Sequence, residues 1–93
     1  GAISYLAFSY VNETVAVLSI DGVTPTDENV MTNDWVIWSY EHMYTKGEPT
    51  GLAKDFIEYI LSDDVQTNIV GKLGYIPVSK LKIQRDWQGN VIE

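Results

Sequence analysis

The sequence contains no cysteine, one histidine, and six basic residues against thirteen acidic ones. Without cysteine, the chain can form no disulfide, no thiolate nucleophile and no cysteine-ligated zinc site. The net charge of −7 argues against nucleic acid as a partner, because phosphate backbones are met by Lys and Arg. It also argues against binding to an anionic membrane surface. The simplest interpretation of the acidity is that it keeps the chain soluble.

Long hydrophobic runs are also absent. No apolar stretch approaches the roughly 18–20 residues that a membrane-spanning helix needs. Hydrophobic residues nevertheless make up 45% of the chain, which is typical of globular rather than disordered sequences. A length of 93 residues allows one domain or less, with a modest core.

The clearest local pattern predicts a helix over residues 49–62, opened by a turn that contains Pro49 in its first helical positions. Apolar residues recur at i, i+1, i+4, i+5, i+8 and i+9, which gives one broad apolar stripe on a helix. This stripe consists of Leu52, Ala53, Phe56, Ile57, Ile60 and Leu61.

A second helix is predicted over residues 63–73, directly after the first. Ser62 is expected at its N-cap, and Asp63 and Asp64 suit the positive end of the helix dipole. Gly74 follows the last turn, where a left-handed residue commonly ends a helix.

Three further segments predict strands. Residues 14–20 form a near-continuous apolar run before an Asp-Gly turn, as in a strand buried on both faces. Residues 2–6 and 35–45 are rich in aromatic and β-branched side chains, which favour strands. A short helix is expected near residues 25–33, where Thr24 or Thr26 caps it and acidic residues fill its first turn.

These elements predict an α/β fold with about three strands and three helices. Beyond residue 80 the periodicity fades, and residues 81–93 are interpreted as a loosely packed tail that lies over the body through Trp87.

The segment from Thr45 to Gly51 is the nearest approach to an anion cradle, since it combines glycine, lysine and a helix start. A P-loop needs four residues between its glycines, followed by Lys and Ser or Thr. Here three residues separate Gly47 from Gly51, Leu52 follows, and Glu48 would repel a phosphate. A plain turn into the helix is the favoured interpretation.

Other candidate sites also have simpler explanations. The lone His42 lacks the further ligands that a metal or a catalytic centre needs. Asp63 and Asp64 are explained by the helix dipole rather than by acid–base chemistry. The aromatic run could form a ligand platform, although strand aromatics are more often core; its members are Trp35, Trp38, Tyr40 and Tyr44. No cofactor, metal site or enzymatic activity is predicted.

Four segments resemble the phosphate-binding proteins of phosphate ABC transporters, especially those of Gram-positive bacteria. They are residues 1–6 (GAISYL), 18–30 (LSIDGVTPTDENV), 43–62 (MYTKGEPTGLAKDFIEYILS) and 72–78 (KLGYIPV), in family order. The third segment is the most specific. Residues 35–42 depart from the family, where relatives often carry a run with Pro and Arg.

The resemblance implies a type II periplasmic-binding-protein fold, in which two α/β lobes close on a ligand, and a chain that is only the carboxy-terminal portion. Residues 1–36 would then belong to the second lobe, 37–80 to the first lobe, and 81–93 to a tail. The family holds phosphate through hydroxyls, backbone N–H groups, an Asp, an Arg and a Ser-Gly-Thr turn, which are expected upstream. The sole arginine here is Arg85 and no Ser-Gly-Thr occurs, so no phosphate ligand is assigned to any residue.

The function implied by the resemblance is capture of inorganic phosphate for import through an ABC transporter permease, with no nucleic-acid partner. The location would be the extracellular face of the membrane, through an N-terminal lipid anchor that is absent here, or the periplasm. The isolated fragment is expected not to bind phosphate tightly. Two alternatives remain: a binding protein for another oxyanion, such as molybdate or sulfate, and an acidic interaction module that docks to the permease. The latter would use Asp55, Glu58, Asp63 and Asp64.

Overall fold

The computed structural model describes residues 1–92, and helical segments form nearly all of its regular structure. The α-helices are α1 (Asp27–Met31), α2 (Gly51–Ile60) and α3 (Asp63–Val65). A π-helical turn (Gln66–Val70) and a 3-10 turn (Gly71–Leu73) continue α3. Two isolated 3-10 turns lie at Phe8–Tyr10 and Val78–Lys80.

The predicted short helix is confirmed as α1. Thr26 is its N-cap, and the Thr26 hydroxyl accepts a hydrogen bond from the Asn29 backbone N–H at 3.2 Å. Asp27 and Glu28 lie in the first turn, where their charge suits the helix dipole. Val30, on the inner side of this helix, is one of the few buried side chains.

The two predicted consecutive helices are also present, with small changes at their ends. α2 begins at Gly51 after the N-cap Thr50, so Pro49 lies before the helix rather than in its first turn. Ser62 occupies the N-cap position of α3, but its hydroxyl donates to the Tyr59 carbonyl at 2.6 Å and does not cap. The helical path from residue 63 to 73 ends at Gly74 in the left-handed conformation, with φ of +92°, as predicted.

The three predicted strands are not confirmed. Within residues 1–92 the only β-type pairings are two isolated bridges, Ile20 with Val23 and Arg85 with Val91. The predicted Asp21–Gly22 turn forms, with φ of +52° and +79°, and it closes the first bridge. Because α1 begins four residues after Val23, no second strand follows to extend the hairpin. A strand is stabilised only beside a partner, and the described residues provide none.

The chain is open for its size. Its radius of gyration is 15.6 Å, whereas a compact domain of this length has about 12 Å. Its accessible surface is 7811 Å², against about 5,400 Å² for a folded monomer of this mass. Val30 and Val65 are the hydrophobic side chains that residues 1–92 bury in a core. The stripe predicted on α2 is largely uncovered, since Leu52 is 87% and Phe56 60% exposed.

Among residues 1–92, no helix has the length and hydropathy required to cross a membrane.

Candidate functional site

The loop before α2 is built as a turn. The Thr45 hydroxyl donates to the Gly47 carbonyl at 2.8 Å, and Gly47 has φ of +77°, which favours glycine. The Thr50 side chain makes no capping hydrogen bond. Lys46 and Glu48 are both exposed. Within residues 1–92 no side-chain donor from another element reaches this loop, so the described part of the chain gives it no converging groups of an oxyanion site, in agreement with the favoured turn interpretation.

The aromatic side chains of the segment after α1 form a row. Trp38 and Tyr40 meet edge to face with ring centroids 5.2 Å apart, Tyr40 and His42 are 6.4 Å apart, and His42 and Tyr44 are 5.7 Å apart. The even spacing in sequence places alternate side chains on one side of an extended backbone. Exposure increases along the row, from the half-buried Trp38 to Tyr44, which is 85% exposed.

In the described part of the chain, His42 of this row has no neighbours with which it could bind a metal. Among residues 1–92 no group of three or more His, Cys, Asp or Glu side chains could hold a metal ion. The row therefore offers ring faces and edges for contact.

Arg85 docks at the half-buried end of the aromatic row. Its backbone N–H donates to the Tyr40 hydroxyl at 3.1 Å, and its guanidinium donates to the carbonyls of Trp38 at 3.0 Å and Val36 at 3.1 Å and to the Asn33 side-chain oxygen. The guanidinium carbon also lies 3.8 Å from the Trp38 ring centroid, a cation–π contact. The same Asn33 oxygen accepts from the Trp38 indole N–H at 3.0 Å.

This role of Arg85 was not indicated by the sequence, which placed it only in the tail. Its partners precede it by 45 to 52 positions, so no local pattern connects them. The available signal was that the chain has one arginine and a preceding aromatic run, since arginine stacks on aromatic rings. Three of its five N–H donors are occupied and one face is stacked, which leaves it poorly placed to bind an anion.

The turn after Arg85 is held by Asp86. Its carboxylate accepts from the backbone N–H groups of Gln88 and Asn90, each at 2.9 Å, and from the Asn90 side chain at 3.1 Å. The Asn90 backbone hydrogen bond, followed by that of its side chain, lowers the pKa of Asp86 below its ordinary value. Trp87 at this turn is 91% exposed. The prediction that Trp87 lies over the body is therefore wrong, and Arg85 makes the attachment instead.

A shallow groove of about 350 Å³ lies beside the tail. The side chains that line it carry no formal charge: Tyr40, Val78, Ser79, Leu81, Ile83 and Gln84. Because an oxyanion site needs several converging donors or a cation, this groove does not have the chemistry of a phosphate site.

The acidic residues of α2 and α3 form an exposed surface. Glu58 lies 3.9 Å from the Lys54 ammonium, and the Asp64 carboxylate accepts from the Asn68 side chain at 2.7 Å. Asp55 and Asp63 are exposed. Such a surface offers charge to a basic partner, and its Lys54 pair is too exposed to contribute much stability.

No family model matches the chain. Individual proteins do match the chain. A phosphate-binding protein PstS of Bacillus subtilis strain 168 is 56% identical over 90 residues, which cover 96% of this chain and 30% of that protein. The phosphate-binding protein PstS 2 of two Streptococcus agalactiae strains, of serotypes V and III, is 39% identical over 82 residues, or 87% of this chain and 28% of each relative.

The match runs through nearly the whole chain, including the segments that carried the resemblance in the sequence, and it confirms that resemblance. The chain therefore belongs to the family of PstS phosphate-binding proteins and spans about 30% of the length of the Bacillus subtilis relative.

Proposed function

We propose that this chain is the carboxy-terminal portion of an extracellular solute-binding protein that captures inorganic phosphate and delivers it to an ABC transporter permease. The observation that carries the proposal is 56% identity to a PstS phosphate-binding protein over 96% of the chain. The protein acts as a binding protein rather than an enzyme. It works at the outer face of the membrane, held by a lipid anchor, or in the periplasm.

The open shape supports a partial-domain assignment. In this proposal residues 1–36 belong to one lobe, residues 37–80 to the other, and residues 81–93 to the tail. The accessible surface is 7811 Å², whereas about 5,400 Å² is usual for a folded monomer of this mass. The excess is expected if the remaining parts of the two lobes normally cover this portion of the chain. Such apolar surface marks a site of burial against other polypeptide.

We expect the 93-residue chain to show no tight phosphate binding. The loop at residues 45–51 lacks converging donors, Arg85 is engaged with Trp38, and the groove beside the tail carries no charge. Isothermal titration with inorganic phosphate should therefore give no saturable heat, whereas the full-length protein that contains this sequence should bind.

Sulfate and molybdate titrated into the same two samples serve as controls for the alternative of another oxyanion. Micromolar or tighter phosphate affinity of the 93-residue chain would show that ligands lie within it. Preference of the full-length protein for sulfate or molybdate would instead favour that alternative.

A second candidate function is docking of the acidic surface to the permease. It is favoured by the exposure of Asp55 and Asp63 and by the net charge of −7, since complementary charge steers association. Reversing Asp55→Lys together with Glu58→Lys in the full-length protein should weaken permease binding about tenfold, as expected for two exposed ion pairs.

The matched control for this test is Glu13→Lys with Glu41→Lys, which changes the net charge equally at exposed positions outside α2 and α3. Binding is measured by pull-down with the purified permease in low and high salt. Equal losses in the two double variants would mean that net charge, rather than this surface, determines the interaction.

A further inference from the structure

We infer that Arg85 is a positioning residue that latches the tail across the proposed boundary between the lobes and sets the geometry of the chain there. The inference rests on the proposed function, because the boundary near residues 36 and 37 comes from the two-lobe assignment. The latch itself is defined by contacts of this chain alone.

The latch holds both sides of the boundary at once. Asn33 and Val36, which accept from the guanidinium, belong to the part assigned to one lobe. Trp38 and Tyr40, which accept from the Arg85 side chain and backbone, belong to the part assigned to the other. A single residue therefore connects the two parts, and bending of the chain between Val36 and Trp38 would break some of these bonds.

The guanidinium also binds both sides of a tight turn in the segment after α1. The Trp38 backbone N–H donates to the Val36 carbonyl at 3.1 Å, which makes a tight turn at Ile37, and the carbonyls of Val36 and Trp38 on either side of that turn both accept from Arg85. The cation–π contact with Trp38 fixes the plane of the guanidinium. Arg85 thus holds this turn in place and attaches the segment to the tail.

The rest of the tail reinforces the attachment. The Lys82 backbone N–H donates to the Met31 carbonyl at the end of α1, at 2.8 Å. Within the tail, the Ile92 N–H donates to the Gln84 carbonyl at 2.8 Å, and the Asp86 turn closes the loop that carries Arg85. These hydrogen bonds close the tail on itself, and Arg85 and Lys82 attach it to the body.

The chemistry requires arginine. A planar guanidinium donates to several oxygens and stacks on a ring simultaneously, whereas the ammonium of lysine keeps the charge but lacks the rigid fork. Arg85→Lys is thus a substitution that preserves charge and length and removes the latch geometry. Trp87→Phe is the matched control in the same turn, since Trp87 is 91% exposed.

The first measurement is hydrogen exchange of the Lys82 amide in the 93-residue chain. We expect Arg85→Lys to lower its protection about tenfold, equivalent to about 1.4 kcal/mol, while Trp87→Phe leaves it unchanged. The Lys82 amide is informative because its acceptor, Met31, lies in the body. Unchanged protection in Arg85→Lys would overturn the latch.

The second measurement uses the full-length protein with one spin label in each lobe. Without phosphate, Arg85→Lys should broaden the distribution of distances between the lobes and change the phosphate dissociation rate several-fold, and Trp87→Phe should do neither. Loss of Lys82 protection without a change in the distance distribution would overturn the positioning role. Failure of the unmodified full-length protein to bind phosphate would refute the proposed function, while the distance distribution would still decide the role of Arg85.

Discussion

Gly74→Ala is expected to lower the free energy of unfolding by about 2–5 kcal/mol. Gly74 follows the helical segment of residues 63–73 and has φ of +92°. This left-handed conformation costs a residue with a Cβ roughly 1–2 kcal/mol. The added Cβ would also lie 2.8 Å from the Cα of Ser9. This neighbour is backbone and cannot rotate away, so overpacking adds about 1–3 kcal/mol.

The close approach of Gly74 to Ser9 joins two distant parts of the chain. It brings the Phe8–Tyr10 turn against the end of the 63–73 helical segment, and the Ser9 hydroxyl is buried there with no hydrogen-bond partner among residues 1–92. Separation of these parts would relieve the clash in Gly74→Ala. The contact to the amino-terminal turn is therefore expected to be lost first.

Gly71→Ala provides the matched control. Gly71 lies three residues earlier, has the right-handed φ of −62°, and would place a Cβ in open space. Because alanine is the better helix former, this variant should gain about 0.5–1 kcal/mol. Urea unfolding followed by far-UV circular dichroism gives both values. Equal effects of the two substitutions would mean that neither the left-handed conformation nor the Ser9 contact is present in solution.

Helix ends were predictable because their causes are local. Thr26 caps α1 through a hydrogen bond three residues away, and Gly74 adopts the left-handed conformation that its place after a helix indicated. The apolar spacing of residues 52–61 also predicted α2. The sequence pattern did not reveal that the α2 stripe would be exposed, because periodicity shows which face is apolar but not what covers it.

Contacts distant in sequence were not predictable. The strand segments required partners that composition cannot supply, and the attachment of the tail depends on Arg85 meeting residues 33–40. Trp87 was the expected anchor since large aromatic side chains are usually buried. The Asp86 turn directs it outward instead, and places Arg85 against Trp38. Which of these neighbouring residues attaches the tail depends on tertiary geometry, which local sequence patterns do not contain.

The largest expected change in hydrogen exchange lies in the segments predicted as strands. The backbone N–H groups of residues 16–19 and 39–44 donate to no backbone carbonyl within residues 1–92. Apolar side chains beside them are exposed, with Val17 at 50% and Leu18 at 62%. In the 93-residue chain these amides should exchange nearly as fast as those of an unstructured peptide.

In the full-length protein the same amides should be protected by a factor on the order of 1,000 or more, because core strands open only with a large part of the global unfolding free energy. The gain in protection is expected because strand pairing gives the backbone N–H groups protein acceptors and, at the same time, buries the exposed apolar side chains. Exchange of both proteins is compared by mass spectrometry on peptides that cover each segment. The exposed Gly89 amide, which already donates to Asp86 within its own turn, is the internal control and should change little.

Protection already present in the 93-residue chain would contradict the prediction, and its concentration dependence would identify the cause. If protection rises with concentration, copies of the chain pair through these segments, as unpaired strand-forming backbone tends to do. If it does not, the segments pair within one chain. Protection confined to the full-length protein would mean that these residues have the side chains of strands but obtain their partners from the other 70% or so of a PstS-length polypeptide. The strand prediction would then be correct for the whole protein, although this chain alone forms only isolated bridges.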